Sequence, residues 1–347
     1  MIEESKLIFI ISQPRAGSTL LQKLISNNEM VDTVSEPWLL LPLLHNYKPE
    51  LIRAKYNSKL AIEGFTDYLK KKRLNGLFKM ELKRLILELY TVNKKEQYFI
   101  DKTPRNYEIL PEIIEFFPKA KFIVLKRDLF ASLASMFSIW GQNKLEYKFI
   151  KPFSRDFLVA PFLVQDFCDL HGKRSNVFTV HYENILEDPF NEVKKIYEWL
   201  DIPFSEQVFN LNENEKVQGM FGDDAQKKEP LKEIGKKKSW KEDLFKDKEM
   251  AFFFLEYEDR LGKEFLKKFG YEGLGEIKEG MNRSRPIQRS SLPLDNYGKR
   301  MVRSFFNFLG FDVTRRSKSI LVDQKVDPEH KASEIMRICL SDIDRVL

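Results

Sequence analysis

Short apolar runs recur along this chain, each one leading into a segment with helical spacing. Residues 7–12 (Leu-Ile-Phe-Ile-Ile-Ser) are unbroken by any charge and rich in β-branched side chains. A run of that kind fits a strand buried on both faces, as in a parallel sheet. It ends at Gln13-Pro14, and the segment that follows, Ser18-Thr19-Leu20-Leu21-Gln22-Lys23-Leu24-Ile25, has helical apolar spacing. Further strands are expected at 98–100, at 121–126 (Lys-Phe-Ile-Val-Leu-Lys) and at 177–180. Helices are expected within 55–89, at 106–117 closed by Pro118, from Asp128 as cap to about Phe137, at 156–171, at 190–200 and at 247–268. Strands separated by helices predict an α/β fold: a P-loop-like three-layer arrangement whose central parallel sheet is flanked by helices and joined by right-handed crossovers.

The chain of 347 residues is long enough for such a core. Apolar residues at 43% and charged residues at 32% place it among globular proteins. Two cysteines, Cys168 and Cys339, give no disulfide framework and fit a reducing compartment. Four scattered histidines do not have metal-ligand spacing, so no metal is expected. The formal net charge is +6, but residues 1–280 carry only +1 of it. Residues 281–320 hold 9 basic and 2 acidic side chains. This is a nearly neutral body with a basic appendage, not the basic face of a nucleic-acid binder. The acidic start, Met1-Ile-Glu-Glu-Ser, and the lack of a long apolar run lead us to expect a cytoplasmic protein without a transmembrane span. Three regions are expected: a main domain at 1–270, a linker at 271–296, and a basic helical extension at 297–347. In the extension, an amphipathic helix at 297–309 would supply peripheral membrane contact.

Chemistry concentrates at the ends of the strands. Gln13-Pro14-Arg15-Ala16-Gly17-Ser18-Thr19 joins a buried strand to a helix, where backbone N–H groups and the helix N-terminus favour an anion. Arg15 adds a fork-shaped cation, and Ser18 and Thr19 add hydroxyl donors. An ATP-binding P-loop needs a first glycine and a lysine that this loop lacks. After the strand at 121–126, Arg127 and Ser135 lie two helical turns apart and can converge on one phosphate. Glu36, in Val34-Ser35-Glu36-Pro37-Trp38, and Lys102, in Asp101-Lys102-Thr103-Pro104, fall near strand ends, at the sheet edge that hosts ligands in doubly wound folds.

The loop at 13–19 resembles the 5′-phosphosulfate loop of sulfotransferases that use 3′-phosphoadenosine 5′-phosphosulfate (PAPS). It is most like the branch that contains tyrosylprotein, carbohydrate and olefin-synthase sulfotransferases. The Arg127/Ser135 spacing resembles that family's 3′-phosphate motif. The resemblance covers about 6–270 and implies a PAPS-dependent sulfotransferase whose acceptor bears a hydroxyl: a small molecule, lipid, sugar, peptide or carrier-bound acyl chain. It implies Glu36 as general base, Lys102 and Arg15 stabilising the leaving group, and Arg15, Ala16, Gly17, Ser18, Thr19, Arg127, Ser135 and Tyr182 holding the nucleotide. Lys236, Lys237 and Lys238 more loosely resemble a basic segment that closes over it. The histidine base of cytosolic sulfotransferases has no evident counterpart; His45 and His181 are left by elimination. A P-loop kinase or NTPase, and a docking protein acting through the basic helix, are the alternatives. The aromatic residues of 138–170 would suit an apolar acceptor wall, but ordinary core packing is the favoured reading.

Overall fold

The computed structural model describes residues 1–52, 54–91, 97–211, 216–217, 247–275 and 328–344. Its chain divides into two compact units. Unit 1 (Met1–Lys144, Lys148–Ser239 and Ser341–Leu347) holds the sheet, and unit 2 holds Leu145–Tyr147 and Trp240–Leu340.

Five parallel strands run in the order β2-β3-β1-β4-β5: β1 Leu7–Ile11, β2 Val31–Thr33, β3 Tyr98–Asp101, β4 Lys121–Lys126 and β5 Val177–His181. β1 lies at the centre, with Ile8 opposite both Ile100 of β3 and Lys121 of β4. Helices connect the strands: α1 Ser18–Ser26, α2 Leu40–Leu43, α3 Ser58–Lys71, α4 Asn75–Leu89, α5 Leu110–Phe116, α6 Leu129–Ile139, α7 Tyr147–Ile150, α8 Ser154–Leu158, α9 Ala160–His171, α10 Tyr182–Glu187 and α11 Pro189–Leu200.

Alternation along the strands builds two cores. Ile8, Ile10, Ile100, Ile123 and Leu125 pack with Leu20, Leu21 and Leu24 of α1 and with Val193, Ile196 and Tyr197 of α11. The intervening residues face the other way. There Phe9 stacks on Phe122 at 5.5 Å between ring centroids and meets Phe117 at 5.8 Å, while Phe122 meets Phe167 of α9 at 5.7 Å. Each large buried side chain contributes on the order of 2 kcal/mol, so this continuous two-faced core explains why the strands read as apolar runs.

The expected helix at 106–117 begins instead as a 3-10 turn over Pro104–Ile109, followed by α5. Two prolines, Pro104 and Pro111, withhold the backbone donors a single regular helix would need. The expected helix at 247–268 breaks at Gly262 (φ 78°) into Lys248–Leu261 and Lys263–Phe269. Within unit 2, Lys331 pairs with Glu249 at 2.5 Å and Ser333 donates to Glu256 at 2.9 Å. The segment at 156–171 is two helices, α8 and α9. Of the aromatics expected over 138–170, Phe153, Phe157 and Phe167 are buried in the core, like Phe137 before them. The 297–309 helix and Lys236–Lys238 lie outside the described residues, as does the expected linker beyond Gly275. Among the described residues no helix is long and apolar enough to cross a membrane.

Candidate functional site

Parallel strands bring their C-terminal ends to one edge, so residues distant in sequence converge there. After β1 the chain turns tightly. Arg15 takes φ 66° and Gly17 φ 90°, and Ala16 N–H donates to the Gln13 carbonyl at 3.3 Å. Only glycine fits at position 17. A Cβ there would lie 2.2 Å from Cε2 of Tyr182, at the start of α10. Tyr182 is buried against the loop, and its ring carries the Arg127 guanidinium at 4.5 Å.

Arg127 follows β4 and donates from Nη1 to the Arg15 carbonyl at 2.8 Å. Arg15 Nε donates to Ser135 Oγ of α6 at 3.1 Å, and its guanidinium lies 5.8 Å from the Trp140 ring. Arg15, Arg127, Ser135, Tyr182 and Gly17 therefore form one cluster. Asp128 caps α6, accepting from Phe130 N–H at 2.8 Å and Ala131 N–H at 2.9 Å. Burial raises its carboxyl pKa. Glu183, next to Tyr182, accepts from the Asp128 N–H at 3.0 Å and joins the β4 and β5 ends.

A second group lies after β2 and β3. Lys102 is fully buried. Its ammonium donates to Glu36 Oε1 at 2.9 Å and to Thr19 Oγ1, at the start of α1, at 3.4 Å. The other Glu36 oxygen accepts from the Trp38 indole N–H at 3.1 Å. Lys102 thus bridges the start of α1 and the Glu36 carboxylate, linking the two groups of residues.

Three residues of this second group were not anticipated. Trp38 orients Glu36 and lies 6.0 Å from the Arg105 guanidinium. Thr103 Oγ1 accepts from the Trp38 N–H at 3.3 Å and donates to Asp101 Oδ1 at 2.8 Å. Asp101, fully buried, also accepts from the Tyr90 hydroxyl and from Asn106 Nδ2 at 3.5 Å. In sequence, Asp101 and Thr103 looked like neighbours of Lys102 only. Their partners at 38 and 90 come from other elements, and spacing gives no sign of them.

Burial pushes the Asp101 carboxyl up to about 6 from 3.8, against the lowering effect of its donors and Lys102. The folded chain therefore binds this proton more tightly than the unfolded chain. The group's contribution to stability is full below about 4 and is lost as pH rises through about 6. Relative to Asp101→Asn, the wild-type chain should gain up to about 3 kcal/mol of unfolding free energy as pH falls from 8 to 4. Urea titrations of both proteins across that range check this, and parallel pH profiles would refute it.

Neither histidine left by elimination joins the cluster. His45 bonds to the Pro42 carbonyl, and burial together with nearby Lys126 lowers the His181 pKa. Among the described residues no group of His, Cys, Asp and Glu could hold a metal ion.

A family model described as "Sulfotransferase family" matches residues 8–206, which carry every described site residue named above. The chain belongs to the sulfotransferase family. It is 23% identical to the nodulation protein NoeE of Sinorhizobium fredii over 287 residues, covering 77% of this chain and 66% of the relative. It is 25% identical to the protein-tyrosine sulfotransferase of Drosophila melanogaster, covering 60% of this chain and 41% of that one. The chain thus spans less than two thirds of either relative. Among solved structures it resembles the sulfotransferase domain of the Synechococcus PCC 7002 olefin synthase. That match has a TM-score of 0.46 and 19% identity, over 68% of this chain and 86% of that domain.

Proposed function

We propose that the chain transfers a sulfuryl group from PAPS to a hydroxyl acceptor. The observation that carries this reading is the convergence of Arg15, Arg127 and Ser135 beside a Lys102–Glu36 pair bridged to the start of α1. The site also holds buried polar atoms suited to an anionic ligand: Arg127 Nε and Ser132 Oγ have no hydrogen-bond partner among the described residues. Two full cations, a helix N-terminus and hydroxyl donors suit a nucleotide with phosphates at both ends.

When bound, PAPS would supply the sulfuryl group and a phosphate leaving group. Glu36 would accept the acceptor's hydroxyl proton as the new oxygen–sulfur bond forms and the sulfur–phosphate oxygen bond breaks. Lys102 and Arg15 would offset negative charge on the sulfonate and departing phosphate, a task that cations can perform without a metal. Gly17, Ala16, Ser18 and Thr19 would hold the 5′ end through the loop and α1. Arg127, Ser135 and Tyr182 would hold the 3′ end, with Lys236–Lys238 closing over it.

Thermal unfolding with adenosine 3′,5′-bisphosphate, and separately with ATP and Mg²⁺, tests the nucleotide. A saturating bisphosphate should raise Tm by about 5 °C. Stabilisation by ATP–Mg²⁺ alone would replace this reading with a kinase or NTPase. Labelled PAPS offered with a panel of hydroxyl compounds then identifies the acceptor.

A further inference from the structure

The β2–β3 connection contains the helical hairpin α3–α4, whose outer surface is unusual. Tyr56, Leu60, Phe65, Tyr68, Leu77 and Met80 are all exposed, Tyr56 by 67% and Leu60 by 63%. On α3, Ala61, Phe65 and Tyr68 recur at intervals of four and three, so they share one side of the helix, and Leu60 borders it. Leu69 is the one buried side chain of α3. Phe65 meets Phe78 of α4 edge-on at 5.1 Å between ring centroids, but much of the remaining apolar surface is left exposed, although ordering such a helix would normally rely on burying it.

The charge around this surface points to its partner. Residues 55–90 contain 9 basic and 4 acidic side chains, a net of +5, while residues 1–280 as a whole carry +1. Lys71 pairs with Asp67, Lys79 with Glu115 and Lys83 with Glu4. Lys55, Lys59, Lys70, Lys72 and Arg73 are exposed and make no ion pair among the described residues. They lie before and within the first turn of α3, in its last turn and at the turn into α4, so they bracket the apolar residues along the chain. Aromatic and aliphatic residues on one side, with lysines flanking them, are the features of a helix lying in the interface of an anionic bilayer. A second copy of this chain would bring +5 against +5, which disfavours self-association through this face.

We infer that the α3–α4 hairpin docks the protein on anionic membranes, its exposed apolar side chains entering the interface and its unpaired lysines facing lipid headgroups. In sequence the hairpin is distinct from the basic segment at 297–309, and the inference does not depend on the proposed sulfuryl transfer.

Co-sedimentation of the full chain with vesicles of phosphatidylcholine, with and without phosphatidylserine, tests it. Binding should require phosphatidylserine and weaken with salt. Leu60→Glu with Phe65→Glu should lower partitioning by at least about tenfold. Lys70→Glu with Lys72→Glu should lower it by about fivefold or more per site. Leu170→Glu, at a residue 71% exposed on α9, should leave binding unchanged. Circular dichroism melts confirm that each variant is folded. Undiminished binding by folded hairpin variants would overturn the inference. So would a dimer in sedimentation velocity that the Leu60→Glu/Phe65→Glu pair dissolves, which would identify the face as a contact between copies.

Discussion

Lys102→Ala should reduce sulfuryl transfer by a factor of about 10²–10³, the usual cost of removing one preorganised charge donor. The loss should fall on kcat, with little change in KM for the nucleotide, because the lysine's charge matters most when charge develops on the leaving phosphate. Glu36→Gln should cost about 10²–10⁴ if the carboxylate takes the acceptor proton. The two side chains contact each other at 2.9 Å, so their effects should not add. The double variant Glu36→Gln/Lys102→Met should be little worse than the poorer single one. The Lys102 side chain has no exposure and Glu36 little. Removing one charge strands the other, so each single variant must be checked for folding. Bisphosphate-induced stabilisation serves that purpose, since it reports a folded, nucleotide-competent chain. Unchanged turnover in a folded Lys102→Ala or Glu36→Gln protein would refute that residue's role.

Gly17→Ala should be nearly as damaging for a steric reason. The backbone there has φ 90°, and a methyl group would lie 2.2 Å from Tyr182 Cε2. Left-handed strain and overpacking together should destabilise the fold by roughly 2–4 kcal/mol. Movement of Tyr182 would also disturb Arg127, whose guanidinium rests on that ring. Affinity for the bisphosphate should fall by at least about tenfold. Adding Tyr182→Ala to Gly17→Ala should restore part of the stability, because the obstacle is then gone, but not the affinity. Urea unfolding and calorimetric titration of the single and double variants separate the two effects. A fully stable Gly17→Ala protein would contradict the contact.

Much of the fold was legible because its signals are local. The stretches 7–11 and 122–125 are apolar on both sides of the pleat, as burial on both faces demands, and Asp128 announced the helix it caps. β2 was less visible: its Val-Asp-Thr is only three residues long, and it pairs at the sheet edge. The breaks at Pro104, Pro111 and Gly262 were written in the residue types, yet apolar periodicity continues across them and suggested single helices. Within the site, residues on strand ends could be located because topology alone brings such ends together. The supporting contacts could not. Thr103 with the Trp38 backbone and Tyr90 with Asp101 depend on the angles at which separate elements approach, and Trp38 with Glu36 on the path of one irregular loop.

The central position of β1 has a consequence for biosynthesis. Leu7–Ile11 is made first, yet its partners on either side are Phe99–Asp101 and Lys121–Val124. A growing chain therefore carries a wholly apolar strand with at least one edge unpaired until more than a hundred further residues have been made. At typical elongation rates that interval is about 5–25 s. Through it the strand's backbone donors and acceptors are open to any other unpaired edge. The nascent polypeptide should thus engage holdase chaperones early and release them once residue 126 has cleared the ribosome. Ribosome-bound fragments ending before and after β4 would differ sharply in solubility.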